Sequence, residues 1–140
     1  MADCEFCLIV ARELTARLVF EDEETLAFFP LKPAALGHTL VIPKRHVSDL
    51  WVAEPADVIA VMNAVLTVGK AIRRALRPDG MNLIASAGEA ASQTIFHLHI
   101  HLVPRWFHDH IGSIWPPGEP WSENVEDNVA DLIRDSVPTS

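Results

Sequence analysis

The sequence predicts an α+β domain with a mainly antiparallel five-stranded sheet, one long helix and a short C-terminal helix. Three observations carry this reading. Short β-branched or aromatic runs alternate with turn residues. A single long stretch repeats apolar residues at spacings of three and four. The resulting order of strand, strand, strand, helix, strand, strand suits sheet neighbours that run antiparallel.

The elements follow in order. Phe6 to Arg12 is a short apolar run that suits a turn or two of helix. Arg17–Phe20 and Thr25–Phe29 read as two strands around the acidic turn Glu21-Asp-Glu-Glu24. Pro30 and Pro33 break the pattern, and Gly37 opens a third strand, His38–Ile42, which ends at Pro43. Pro55 fits the first turn of the long helix. Val58, Val61, Met62, Val65, Val68 and Ile72 form its apolar stripe, which reads as core packing with no chemistry of its own. Arg77-Pro-Asp-Gly80 stops it. Met81–Ala85 is a fourth strand, Ser86–Ser92 a loop of small residues, and Ile95–Val103 a fifth strand that alternates strictly. Trp106 to Trp121 is rich in Trp, Pro, Gly and His and reads as an irregular arm, followed by a short helix near 125–135.

Composition narrows the function classes. The 140 residues suit one domain, long enough to bury roughly two-thirds of its unfolded surface. Eleven Lys+Arg against 19 Asp+Glu give a net charge of −8, which disfavours a broad basic face for a nucleic-acid polymer. A small local phosphate site remains compatible with it. Two cysteines exclude a disulfide scaffold. The first residues lack a basic segment followed by an apolar one, and no apolar stretch approaches about 18 residues. A cytoplasmic protein with no membrane partner is the expectation.

The informative segment is Phe96-His-Leu-His-Ile-His-Leu-Val-Pro-Arg105. Period-two geometry sets Phe96, Leu98, Ile100 and Leu102 on one face and His97, His99 and His101 on the other. Neighbours on a face lie about 6.6 Å apart. Three charged imidazoles in a row would repel, so at least one stays neutral and nucleophilic near neutral pH. A lone strand histidine is usually a half-exposed surface residue, but three in alternation are rare by chance. Spacing alone leaves metal ligation and phosphoryl chemistry equally open. Cys4 and Cys7 form a C-x-x-C, open to reading as a redox pair, a zinc half-site or two buried thiols. The redox reading lacks the βαβ context it requires.

His97-Leu-His-Ile-His-Leu-Val resembles the motif of the histidine-triad (HIT) superfamily, in which three histidines alternate with apolar residues. Further matching residues are Cys4-Glu-Phe-Cys7, Phe20-Glu-Asp22, Leu26-Ala-Phe28, Gly37-His-Thr-Leu-Val-Ile-Pro-Lys-Arg-His46, Gly88 and Ala91-Ser-Gln-Thr94. The resemblance runs from about Cys4 to Trp115 and points to the bacterial-type nucleotide-binding branch. It implies a HIT-like fold over residues 1–115. Residues 116–140 would form a C-terminal arm and short helix that pack on the same domain or on a dimer partner.

The resemblance also implies roles. His99 would be the nucleophile that takes up a nucleoside monophosphate covalently, with His101 and His97 as the other catalytic histidines. His38, Gln93 and Thr94 would contact the phosphate, and Phe6, Ile9, Phe28 and Leu31 would line a base pocket. For any one of these four taken alone, core is the better reading. In zinc-containing relatives the C-x-x-C is completed by two histidines, here His46 and His97. That Cys₂His₂ set would hold one structural zinc per chain and remove His97 from acid–base work. Relatives are homodimers whose C-terminal segments lie near the partner's active site, so a homodimer is expected.

Some positions depart from the pattern. The family usually has Asp or Asn for the ribose hydroxyls where this chain has Pro30, and Lys32 is near enough in sequence to substitute. Ser86 and Ser92 replace a common Asn and Gly. His108 and His110 have no assigned role. The expected function is a hydrolase or transferase cleaving a nucleoside phosphoramidate, nucleotidyl or dinucleotide phosphate bond. The alternatives are a nucleotide-binding regulatory module with negligible turnover, and a zinc protein whose histidines serve only the metal.

Overall fold

The computed structural model describes residues 3–139. They form two compact units, one running to His110 and one starting at Ile111. The first begins with helix α1 (Glu5–Val10), followed by strands β1 (Arg17–Glu21), β2 (Thr25–Phe29) and β3 (Thr39–Pro43). Helix α2 (Pro55–Leu76), β4 (Gly80–Ile84) and β5 (Ile100–Arg105) complete it. The second unit carries α3 (Glu123–Ser136), whose Ser122 side chain accepts from the Val125 N–H as an N-cap.

Local chemistry explains the turns. At the acidic turn the Asp22 Oδ1 accepts from the N–H of Glu24 (3.0 Å), the N–H of Thr25 (2.7 Å) and the Thr25 hydroxyl (2.7 Å). β1 and β2 pair across it, with an irregularity between Leu18 and Phe20. At the start of α2, Pro55 occupies the first turn, and the Asp57 carboxylate accepts from the Glu54 N–H at 3.1 Å. The helix ends where Arg77 turns left-handed just before Pro78.

All neighbouring strands are antiparallel, in the order β1-β2-β3-β5-β4. Period two divides the sheet into two faces. On one, Ala27, Val41, Ile100 and Leu102 pack against the stripe Val61, Ala64, Val65, Val68 and Ile72 of α2. Each large aliphatic buried there contributes about 1.5–3 kcal/mol. α2 is long and apolar enough to cross a membrane by length and composition alone. Its stripe is instead a wall of the domain core.

On the opposite face Leu26, Phe28, Leu40 and Ile42 pack against Phe6 and Ile9 of α1. Leu40 pairs directly with His101, so this histidine points to the α1 face while Ile100 and Leu102 point to α2. The long helix therefore stands behind the site, as its sequence suggests.

One expectation needs correction. The fifth strand starts at Ile100, not Ile95, so His97 and His99 precede the ladder. Pro43, opposite the missing rung, has no N–H to give. Its carbonyl takes the His97 ring instead, at 2.7 Å, and the Leu98 N–H goes to Val47 O, also at 2.7 Å. Leu98 is still buried, but Phe96 is half exposed and does not share its apolar face.

Candidate active site and metal centre

His99 is buried, and its Nδ1 lies 2.7 Å from the carbonyl of His97. A carbonyl only accepts, so Nδ1 carries the proton and Nε2 of the neutral ring keeps a lone pair. Burial holds the His99 pKa below the usual imidazole range, only partly opposed by this bond. A neutral ring with a free Nε2 is a nucleophile.

The neighbouring ring, 4.9 Å away between centroids, is prepared in the opposite sense. The Ala34 N–H donates to His38 Nδ1 at 3.0 Å, so neutral His38 carries its proton on Nε2. That nitrogen lies 2.9 Å from His101 Nδ1 and donates to it. His101 then bears its own proton on Nε2. Burial, with the charges of His99 and His38 adding to it, pushes the His101 pKa down to about 4. Burial, and then His99, also lowers His38. One ring thus offers a lone pair while the next offers a donor, as in-line displacement at phosphorus requires.

His97 is fully buried and turned away from both. Its Nε2 donates to Pro43 O, leaving Nδ1 as a bare acceptor. That atom lies 3.2 Å from His46 Nδ1, 3.4 Å from Cys4 Sγ and 3.6 Å from Cys7 Sγ. Cys7 Sγ lies 3.4 Å from His46 Nδ1, and all four ligand atoms fall within 4.8 Å of one another. Tetrahedral zinc with nitrogen and sulfur ligands sets its donors about 3.3–3.8 Å apart. Cys4, Cys7, His46 and His97 are therefore positioned to bind a metal ion. Helix α1 supplies both sulfurs because Cys4 is its N-cap and Cys7 stands one turn on, with its N–H on Cys4 Sγ at 3.4 Å.

The same helix forms one wall of a cavity of about 680 Å³. Phe6, Ile9, Phe28 and Leu40 are its buried lining, while Pro30, Leu31 and Pro33 belong to the loop at its edge. Phe6 touches Phe28 edge-on at 5.3 Å and His99 at 5.1 Å, so the cavity adjoins His99. Three of the four base-pocket residues named from the sequence are buried there, and the fourth, Leu31, is 97% exposed. Lys32 is not among the lining residues.

Other residues named from the sequence are placed differently. Gln93 is buried with both ends of its amide engaged. Its Oε1 accepts from the Gly88 N–H (2.8 Å), and its Nε2 donates to Ser48 O (2.7 Å) and Ile95 O (3.1 Å). It braces the loop before the histidines. Thr94 lines a hollow beside Cys4 and His46, together with Asp3, Glu5, Ile95 and Phe96. Both ring nitrogens of His38 are taken by Ala34 and His101. His108 and His110 do not join the metal-ligating group. Sequence reading missed Ala34, because a backbone amide carries no residue-type signal.

The family model of the HIT domain matches residues 11–108. The chain belongs to the HIT family. A crystal structure of a HIT family member from Bacillus subtilis superposes with a TM-score of 0.90 at 32% identity, covering 99% of each chain. The crystal structure of a Zn-bound histidine triad family protein from Mycobacterium smegmatis gives 0.75 at 34% identity, over 96% of this chain and 99% of that one. The adenylylsulfatase HINT3 of Arabidopsis thaliana is 39% identical over 103 residues, which are 74% of this HIT protein and 52% of the plant one. The five-stranded antiparallel sheet with its helices is the HIT fold.

Proposed function

We propose that this HIT protein is a hydrolase or transferase that cleaves a nucleoside phosphoramidate, nucleotidyl or dinucleotide phosphate bond through a nucleotidyl-histidine. The observation that carries this reading is the opposite protonation of adjacent rings: a lone pair on His99 Nε2 beside a proton on His101 Nε2. His99 Nε2 attacks the α-phosphorus, and the bond from phosphorus to the leaving group breaks. The leaving group departs with that electron pair and takes a proton from solvent. Meanwhile the His101 N–H donates to a phosphoryl oxygen, and the His97 carbonyl holds His99 Nδ1–H as charge develops on the ring. Water then attacks phosphorus, the P–N bond breaks, its electrons return to Nε2, and a proton leaves to solvent. The net change is one bond hydrolysed by one water.

Beyond that carbonyl His97 takes no part in the chemistry, since its ring serves Pro43 and the metal ligands. Gln93 acts in phosphate binding by bracing the loop, and Thr94 follows it at the loop's end. The cavity of Phe6, Ile9, Phe28 and Leu31 takes the base. The ion held by Cys4, Cys7, His46 and His97 is zinc, one per chain, and four protein ligands make it structural. The Zn-bound relative supports this choice. The substrate class draws support from the adenylylsulfatase relative. The protein acts in the cytoplasm on a nucleotide or its conjugate, without a nucleic-acid polymer. It works as a homodimer, for which the exposed stripe Ile59, Met62 and Leu66 of α2 and Leu83 of the edge strand β4 offer an apolar surface.

Mass spectrometry of the protein mixed with a nucleoside phosphoramidate should catch a nucleotidyl adduct on His99. His99→Ala should abolish turnover while leaving nucleotide binding largely intact. Binding with neither adduct nor released monophosphate would leave a binding module instead. Full activity in His99→Ala would sink the mechanism.

A further inference from the structure

We propose that the backbone N–H of Ala34 is a positioning group that dictates where the protons sit on His38 and His101. The loop from Pro30 to His38 would thereby aim the donor at the reacting phosphoryl group. This rests on the reading of His101 as that donor, and it goes one step further back along the chain.

The geometry admits one arrangement. The Ala34 N–H has a single proton to give and points it at His38 Nδ1, 3.0 Å away. With His38 turned to its other tautomer, or protonated twice, two N–H groups would face each other in a buried site. His38 is 7% exposed, so water offers little relief. Its Nε2 proton then meets His101 Nδ1 at 2.9 Å, and the same logic passes to the second ring. A fixed amide proton, which no side-chain titration alters, thus determines two imidazoles in series.

The loop is built to hold that amide still. Pro30 and Pro33 lock their own φ angles and reduce the freedom of the segment just ahead of Ala34. The His38 N–H donates back to Ala35 O at 3.1 Å, so ring and backbone of His38 are tied to consecutive residues of one turn. Gly37, at φ +86°, supplies the left-handed step that closes it. Pro30, Leu31 and Pro33 also line the cavity beside His99, so the wall that meets the ligand and the amide that orients the donor belong to one segment.

The test reads tautomers directly, in the full-length protein without substrate, by ¹⁵N NMR of the histidine rings. Wild type should show His38 and His101 both protonated at Nε2 and bare at Nδ1, with a hydrogen-bond coupling from His38 Nε2–H to His101 Nδ1. Ala34→Pro deletes the amide proton and should give mixed tautomers on both rings, with kcat lowered more than KM. Ala34→Gly keeps the N–H and should match wild type in both readouts. His38→Phe keeps a ring but removes the relay, and should release His101 alone. If Ala34→Pro does not fold, the wild-type spectrum and His38→Phe still decide.

A wild-type His38 protonated at Nδ1 overturns the proposal, as do unchanged tautomers in Ala34→Pro or in His101 of His38→Phe. Failure of the catalytic reading looks different: the tautomers would be as stated, but no nucleotidyl compound would turn over.

Discussion

Gly37→Ala is the substitution whose cost the structure lets us work out term by term. Gly37 holds φ at +86°, where an L side chain meets its own backbone, at about 1–2 kcal/mol. A Cβ there would collide with Leu76 Cδ1 and come within 3.4 Å of Pro104 Cγ. Leu76 is packed against the α2 core and yields by leaving its rotamer, at about 0.5–1.5 kcal/mol. The expected loss is therefore about 1.5–3.5 kcal/mol. In urea, with a slope of about 2 kcal/mol/M for a protein of this size, the midpoint should fall by roughly 1–2 M with the slope unchanged. Leu76→Ala in the same chain separates the two terms. It should return only the steric part, a coupling of about 0.5–1.5 kcal/mol, and leave the backbone strain in place. A Gly37→Ala protein within about 0.5 kcal/mol of wild type would refute the strain argument, and a coupling near zero would refute the Leu76 contact.

Four further outcomes are expected. Metal analysis should find about one zinc per chain, and Cys4→Ser with Cys7→Ser should lose it. Because burial and then Cys4 push the Cys7 thiol up, zinc must displace that proton and should bind more weakly as pH falls, as a competitive chelator titration would show. Stability of the metal-free protein should drop as pH falls from about 6.5 towards 4. His38, His99 and His101 are lowered in the folded state, His101 to about 4, so the unfolded chain binds more protons across that window; a flat stability profile there would contradict buried neutral imidazoles. Pro30→Asp adds an acceptor at the cavity edge and should raise preference for ribo- over deoxyribonucleotides by about tenfold, the effect of one hydrogen bond of roughly 1–1.5 kcal/mol, read as a ratio of kcat/KM.

What was legible in the sequence follows from what is local. The α2 stripe is a 3.6-residue period, so Val61, Val65, Val68 and Ile72 are readable from it, but Met62, counted in the stripe, is exposed, and Ala64, too small to stand out, takes a place in the core. The acidic turn is readable because Asp22 bonds to residues only two and three positions on. The sequence pattern starts the fifth strand five residues too early because its true start depends on Pro43, 54 residues from His97, which cannot supply a rung. The C-x-x-C was visible, but its partners His46 and His97 came from resemblance and not from spacing. Gln93 looked like a ligand contact because a buried amide has the same composition whether it binds a ligand or braces a loop. His38 was recognised as a site residue, yet its dependence on Ala34 lies in a turn that no residue type announces.

Six residues of helix cannot hold their own shape in water, so α1 owes its order to what grips it at either side. Cys4 and Cys7 face the metal ligands, and Phe6 and Ile9 face the cavity. An ion bound on one side and a small molecule bound on the other would therefore stabilise the same fold of the same segment. By thermodynamic reciprocity, whatever factor the ion adds to the affinity of the cavity, an occupant of the cavity adds to the affinity for the ion. Metal supply would then be an effector of this protein, acting at a distance on a ligand that it never touches.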